Sequence, residues 1–275
     1  MPAVMPHPPL LEARGLCVQA PRRGWGGKSI DLLRGVDLCL PRGQTLAVVG
    51  ESGAGKSTLV RALLRLVKPS TGQVLIDGRD LAILSPAELR AQRRRVQVVF
   101  QDPLASLNPA LDVLTLVADP LRVRLHSPLT AQLRDRVAAQ LAAVGLGAEY
   151  LSRRASELSG GQAQRVAIAR ALIAEPDMLI CDEPVSALDL ALRAQVLQLL
   201  AEQRRQRHLA LLFVTHDLHA ARLLCDTTLV LRQGVVVEQG ATARLFERPA
   251  ADYTRALLDA MLSVDPAGAA SRSVS

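Results

Sequence analysis

The chain has 275 residues, 49% of them hydrophobic and only 21% charged, so it can supply a full core, and disorder throughout is excluded. Its 33 Lys and Arg against 26 Asp and Glu leave a net charge of +7, with both signs in most stretches, which describes a mildly basic globular protein and not a nucleic-acid tail. Three Phe, two Tyr and one Trp are too few to build stacking platforms for single-stranded bases.

Cys17, Cys39, Cys181 and Cys225 lie far apart without a C-x-x-C pair, a spacing that fits neither a disulfide framework nor a zinc or iron–sulfur cluster. A reducing compartment is expected. The Pro-rich start (Pro2, Pro6, Pro8, Pro9) has no apolar stretch of the secretory kind, and no apolar run approaches the ~18 residues of a membrane-spanning helix. Any service to a membrane is expected to run through a partner.

Residues 10–262 read as one unit with short tails, and the small, polar segment 266–275 as a frayed end. Within it, apolar runs alternate with helical periodicity, the pattern of an α/β domain with a largely parallel sheet. Residues 45–49 form a continuous apolar run ending at Gly50, after which Leu59, Val60, Leu63, Leu64 and Val67 recur at helical spacing. A buried strand therefore feeds a helix through a glycine loop. Residues 96–100, 178–181 and 210–214 are further strand candidates, each followed closely by polar residues at the end where open α/β sheets bind ligands. From 102 to 157 the strand signal disappears, and Pro103, Pro109, Pro120 and Pro128 punctuate helix-like stretches such as 129–146, which reads as a helical insertion. Residues 228–231 and 235–237 flank Gln233-Gly234 as a hairpin.

Gly50-Glu51-Ser52-Gly53-Ala54-Gly55-Lys56-Ser57, followed by Thr58, matches G-x-x-x-x-G-K-[ST] between that strand and that helix. Glycines let backbone N–H groups converge on phosphate oxygens, the helix beginning near Ser57 adds its positive end, and Lys56 brings a full charge toward the β- and γ-phosphates. Ser57 offers a hydroxyl to Mg²⁺. The plain alternative is a glycine turn that merely joins strand to helix. Asp182 and Glu183 end the apolar run 178–181, where an unpaired buried carboxylate would cost several kcal/mol. A nearby cation resolves this, with Asp182 holding Mg²⁺ and Glu183 orienting the water of an in-line displacement, against the reading that one of them caps the next helix.

Ser159-Gly160-Gly161-Gln162, 23 residues before Asp182, opens a further helix and on its own is a general anion site. Together with the two motifs above it resembles the ATP-binding cassette family of ATPases. The resemblance implies a P-loop NTPase (RecA-like) α/β core with a helical signature subdomain and an antiparallel β element. It also implies ATP and Mg²⁺ as ligands, and a head-to-tail pair of cassettes in which Ser159, Gly160 and Gly161 of one contact the γ-phosphate held by the loop of the other. Gln101 then matches the glutamine that touches the metal and the attacking water, and Ser186-Ala187-Leu188-Asp189 the loop that crosses the dimer interface. His216 matches the histidine on the γ-phosphate, although a lone His after a strand is more often a structural hydrogen-bond partner. His219 stays unassigned, since two histidines alone make a weak metal site. The family places an aromatic ring on adenine, yet residues 18–21 have none; Trp25 could substitute, and an exposed Trp in a glycine-flanked loop is the competing reading.

Residues 101–109 and 181–189 look like the ATPase subunits of bacterial oligopeptide, dipeptide and nickel importers, and residues 249–257, with Tyr253-Thr254, are similar to that group's short C-terminal region. The implied organisation is a cassette over 10–246, with its helical subdomain at about 102–160, and a short extension over 247–275 whose end is disordered. The implied partners are a second, related cassette chain, two membrane permeases and, indirectly, an external solute-binding protein, at the cytoplasmic face of the bacterial plasma membrane. The competing class is an ATPase acting on nucleic acid or ribosomes through Arg93, Arg94, Arg95, Arg204, Arg205 and Arg207, which read more simply as solvated helix faces; an exporter cassette differs only in partner. No nucleic-acid partner is expected.

Overall fold

The computed structural model describes residues 8–20, 29–125, 129–186 and 188–262. The chain divides into two units, one formed by Met1–Ile83 with Phe213–Ser275 and the other by Leu84–Leu212. The first begins with β1 (Leu11–Ala20), β2 (Ile30–Leu40), β3 (Thr45–Val49), α1 (Lys56–Leu63), β4 (Thr71–Ile76) and β5 (Arg79–Asp80). The second holds α2 (Pro86–Arg95), β6 (Val96–Val99), α3 (Pro103–Ser106), α4 (Val113–Leu125), α5 (Ala131–Ala143), α6 (Gly160–Leu172), β7 (Met178–Asp182) and α7 (Leu190–Arg207). Strand β8 (Ala210–Thr215) carries the chain from the second unit back to the first, which ends with α8 (Leu218–Leu224), β9 (Thr227–Arg232), β10 (Val235–Ala241), α9 (Thr242–Glu247) and α10 (Asp252–Leu262).

In the first unit β2, β1, β4 and β5 make an antiparallel sheet in that order, with Leu11 opposite both Leu40 and Ile76. Strand β3 is buried at all five positions, because it lies in a parallel layer covered on both faces, and Leu46 pairs with Thr227 of β9. The start of that pairing is locked by side chains. The Thr45 N–H and hydroxyl both donate to the Asp226 carboxylate (3.0 and 2.8 Å), and the Asp226 N–H donates back to the Thr45 hydroxyl (2.7 Å). Strands β9 and β10 form the antiparallel hairpin expected around Gln233-Gly234.

In the second unit β6 and β7 run parallel, Val96 beside Met178. The Arg95 guanidinium, just before β6, binds the Asp177 carboxylate just before β7, with Nε to Oδ2 at 2.6 Å. Helix α6 is buried on most sides (Ala163, Val166, Ala167, Ile168, Ala169, Ala171, Leu172) and is packed by α3, α4 and α5; its alanines let those neighbours approach. The helical stretch foreseen between 102 and 157 is present as α3, α4, α5 and two short 3₁₀ turns. Pro120, expected to interrupt a helix, instead lies inside α4. The ring removes one backbone bond, and the helix persists because α4 packs on α5 and α6 and its first amides, Val113 and Leu114, donate to the Arg153 and Leu151 carbonyls (2.9 and 3.0 Å). Among the described residues no helix is long and apolar enough to cross a membrane.

Two of the arginines read as solvated are tied inward. Arg95 holds Asp177, and Arg207 donates to the Leu172 carbonyl (3.2 Å), the Gln140 amide oxygen (2.9 Å) and the Gln203 amide oxygen (2.9 Å), joining α5, α6 and α7. Replacing Asp226 with Ala leaves the buried Thr45 N–H and hydroxyl without their shared acceptor. Denaturant unfolding of Asp226→Ala is expected to show a loss of about 1–2 kcal/mol, and an unchanged midpoint would remove the lock at the start of β3.

Candidate functional site

Strand β3 ends at Val49, and Gly50 follows it with φ 157°. A Cβ there would lie 2.2 Å from the Leu231 carbonyl oxygen, so only glycine lets the loop pack this close to β9. The loop then enters α1 through Gly55, a left-handed residue with no side chain to cap the helix. The first amides of α1 are therefore left to whatever lies in front of the loop. Lys56 is only 5% exposed, and its ammonium donates to the Gly50 and Glu51 carbonyls (2.7 and 3.0 Å), which holds the charge over the loop. Behind the loop, the Ala54 N–H donates to the Glu51 carbonyl (3.2 Å), and the Ala54 carbonyl accepts from the Gly234 N–H (2.8 Å) at the hairpin turn. The Gly234 carbonyl in turn accepts from Arg34 on β2 (2.8 Å). Glu51, Ser52, Gly53 and Ser57 face solvent, Thr58 is half-buried and Ala54 is buried. The arrangement concentrates hydrogen-bond donors and one cation at a helix start, which is what a polyphosphate chain requires.

His216, also in the first unit, is exposed immediately after β8. Its position is set by the next residue: the Asp217 N–H donates to the Thr215 hydroxyl (2.9 Å), and the Asp217 carboxylate caps α8 by accepting from the Ala220 N–H (3.0 Å).

The remaining expected residues that are described lie in the second unit. Gln101 is exposed two residues beyond the end of β6, and Asp102 beside it caps α3 by accepting from the Ala105 N–H at 3.0 Å. Arg170 of α6 fixes the far end of that short helix by donating to the Ser106 carbonyl (2.9 Å). Burial lowers the Arg170 guanidinium from its ordinary value, with Asp119 pulling the other way. Sequence reading passed over Arg170, because its partner is a backbone carbonyl 64 positions away.

Asp182 closes β7 and is 9% exposed. Glu183, half-buried, takes a left-handed conformation (φ 49°) that a non-glycine residue adopts only when its surroundings hold it. What holds it is the next turn, where the Ser186 N–H and hydroxyl both donate to the Glu183 carbonyl (3.3 and 3.0 Å). Asp189 caps α7 by accepting from the Leu192 N–H (2.9 Å); Ala187 lies outside the described residues.

Ser159 is the N-cap of α6 in a full capping box. Its hydroxyl accepts from the Gln162 N–H (3.3 Å), and its own N–H donates to the Gln162 side-chain oxygen (2.9 Å). The Gln162 amide nitrogen then donates to the Tyr150 hydroxyl (3.0 Å), a partner that spacing did not reveal. Ser159 and Gly160 are exposed. Gly161 is buried, and a Cβ on it would come within 3.0 Å of the Leu192 side chain on α7. Trp25 lies outside the described residues.

Ser57 in the first unit carries a hydroxyl, and Gln101 and Asp182 in the second carry amide and carboxylate oxygens, the donor types a hard Mg²⁺ ion takes; within the first unit the glycine cradle with Lys56 suits a phosphate chain. Among the described residues no cluster of three or more His, Cys, Asp and Glu is placed to hold a metal.

The sequence model described as ABC transporter matches residues 33–186. The uncharacterized ABC transporter ATP-binding protein YejF of Escherichia coli (strain K12) is 46% identical over 263 residues, which make up 94% of this chain; the chain spans half of that relative's length. The oligopeptide transport ATP-binding protein OppF of the same organism is 45% identical over 239 residues, 87% of this chain and 72% of OppF. Among solved structures, the ATP-binding cassette MJ0796, a dimer in a post-hydrolysis state bound to ADP and Pi, superposes with a TM-score of 0.76 at 30% identity, covering 84% of this chain and 98% of that one. With a glycine cradle and lysine at the start of α1, and a match across more than half its length, this chain belongs to the ABC transporter family.

Proposed function

We propose that this chain is the ATP-hydrolysing subunit of an importer that carries peptides across a membrane. The observation that carries the reading is the phosphate loop, with Lys56 held over the Gly50 and Glu51 carbonyls in front of an uncapped helix. OppF, at 45% identity, is named for oligopeptide transport, which favours peptides over nickel as the solute. Arg95 and Arg207, bonded inward, leave the competing nucleic-acid reading with fewer cations than the sequence suggested. The cassette is assigned to residues 10–246, with its helical subdomain at about 102–160, and the extension to 247–275.

In this reading Lys56 and the amides at the start of α1 bind the β- and γ-phosphates of ATP, and Thr58 and Ser52 border them. Ser57, Gln101 and Asp182 are the residues that would hold Mg²⁺, which supplies positive charge to the phosphate oxygens when bound. Glu183 orients and polarises the attacking water, and His216 stabilises the γ-phosphate as it leaves. Ser159, Gly160, Gly161 and Gln162 serve the ATP of a facing cassette, a related but different chain, so that nucleotide joins the pair and hydrolysis releases it. Two permease subunits convert that closing and opening into transport, with an external solute-binding protein upstream, and the cassette sits peripherally at the cytoplasmic face of the membrane. Trp25 is the aromatic assigned to adenine.

Two substitutions separate binding from chemistry. Calorimetric titration of Lys56→Ala with Mg-ATP is expected to show affinity lowered at least about 10-fold, the loss of one charge-assisted contact to phosphate. Undiminished binding would remove the loop from the site. Glu183→Gln is expected to bind Mg-ATP as the parent chain does and to hydrolyse it about 10²–10³-fold more slowly, measured by phosphate release in the presence of the partner cassette. Turnover at the parent rate would take Glu183 out of the reaction.

A further inference from the structure

The C-terminal part of the first unit returns to the phosphate loop. The guanidinium of Arg232, at the end of β9, stacks 4.6 Å from the centre of the Tyr253 ring on α10. The Glu51 N–H donates to the Tyr253 hydroxyl at 3.4 Å across 202 positions of sequence. The turn that opens α10 is anchored in turn by Glu238 of β10, whose carboxylate accepts from the Ala250 and Ala251 N–H groups (2.9 and 3.0 Å). Burial pushes the Glu238 carboxyl up, but the Ala250 hydrogen bond and the contacts around it outweigh that effect, so its pKa is lowered and the anchor stays ionised at neutral pH. Burial raises the Tyr253 phenol, with the Glu51 carboxylate adding to the rise, so the hydroxyl keeps its proton.

The Glu51 N–H belongs to the planar peptide that carries the Gly50 carbonyl, and in a trans peptide the two point in opposite directions. One edge of this peptide meets Tyr253, and the opposite edge accepts from the Lys56 ammonium at 2.7 Å. We propose that Tyr253 is a positioning residue for nucleotide binding: it holds the 50–51 peptide from behind, and that peptide holds Lys56 where the phosphates arrive. The Arg232 stack and the Glu238 anchor keep the ring at its place, so α10 preorganises the loop. The proposal rests on the reading that the loop binds ATP.

Amide exchange and Mg-ATP titration of the full chain test it. In Tyr253→Phe the ring and the stack stay while the hydroxyl goes. The Glu51 amide of the nucleotide-free variant is expected to exchange about fivefold faster, the effect of one net hydrogen bond, and the Kd for Mg-ATP to rise about three- to tenfold. The melting temperature is expected to stay within about 2 °C of the parent, and Asp259→Asn, on the exposed side of α10, to match the parent throughout. Parent-like exchange at Glu51 with parent-like affinity in Tyr253→Phe overturns the proposal. So does faster exchange spread evenly over β3 and α1 with a matching fall in melting temperature, which would mark general loosening. Lys56→Ala is the separate arm: if it binds Mg-ATP undiminished, the reading of the loop fails, while exchange at Glu51 still decides whether Tyr253 holds the peptide.

Discussion

Positive potential gathered at the start of α1 is the constraint on which the rest of the first unit depends. Backbone amides and the Lys56 ammonium repel one another's positive ends, and such an arrangement persists only if the loop's own carbonyls and its packing hold it. The Gly50 and Glu51 carbonyls supply part of that hold, and the backbone supplies the rest. The loop lies against the Leu231 carbonyl so closely that no side chain fits at Gly50, and Gly234 fixes Ala54 from behind. Strand β9 is in turn registered on β3 by the Thr45–Asp226 lock, so a hydroxyl and a carboxylate 181 positions apart help decide where that positive potential is placed.

The elements legible in the sequence were those whose burial is continuous. Strands β3, β7 and β8 are buried at every position, so each appeared as an unbroken apolar run, and the glycine loop after β3 has a spacing tied to its chemistry. The antiparallel sheet was expected as an element but could not be placed strand by strand. Strand β1 faces the core on one side only, and its pairing slips between Ala13 and Leu16 and again between Leu16 and Val18. Each slip shifts the inward-facing positions, so the strict alternation that reveals a half-buried strand is lost. Pro120 misled for a related reason: a local breaking tendency was outweighed by packing that no local signal reports.

The same distinction runs through the candidate site. Residues of the motifs could be named from spacing, because each motif is confined to a few consecutive positions at the end of a strand or the start of a helix. Their supports could not. Arg170 acts on a carbonyl 64 positions away, and Tyr150 meets Gln162 through a side chain from a separate turn. Tyr253 was noted only as part of a tail-like string, because a hydrogen bond spanning 202 positions leaves no local trace.

The two helix starts assigned to phosphate differ in a way that orders the proposed events. At α1 the N-cap is Gly55, which offers no side chain, so the first amides have no internal acceptor from the cap. At α6 the Ser159 hydroxyl already accepts from the Gln162 N–H, and the Ser159 N–H is bonded to the Gln162 side chain. An anion arriving at α1 meets a helix start that no cap side chain occupies, beside a lysine, whereas one arriving at α6 must compete with a capping box worth about 1 kcal/mol for what lies beyond the Gly160 and Gly161 amides. In the proposed reading a nucleotide is therefore held first and more tightly at α1. The serine-glycine turn gains by binding only when a facing cassette presents a γ-phosphate already fixed in place. On the proposal that two cassettes close over the nucleotide, this asymmetry would make their association sensitive to the γ-phosphate, because the weaker of the two sites is the one that reads it.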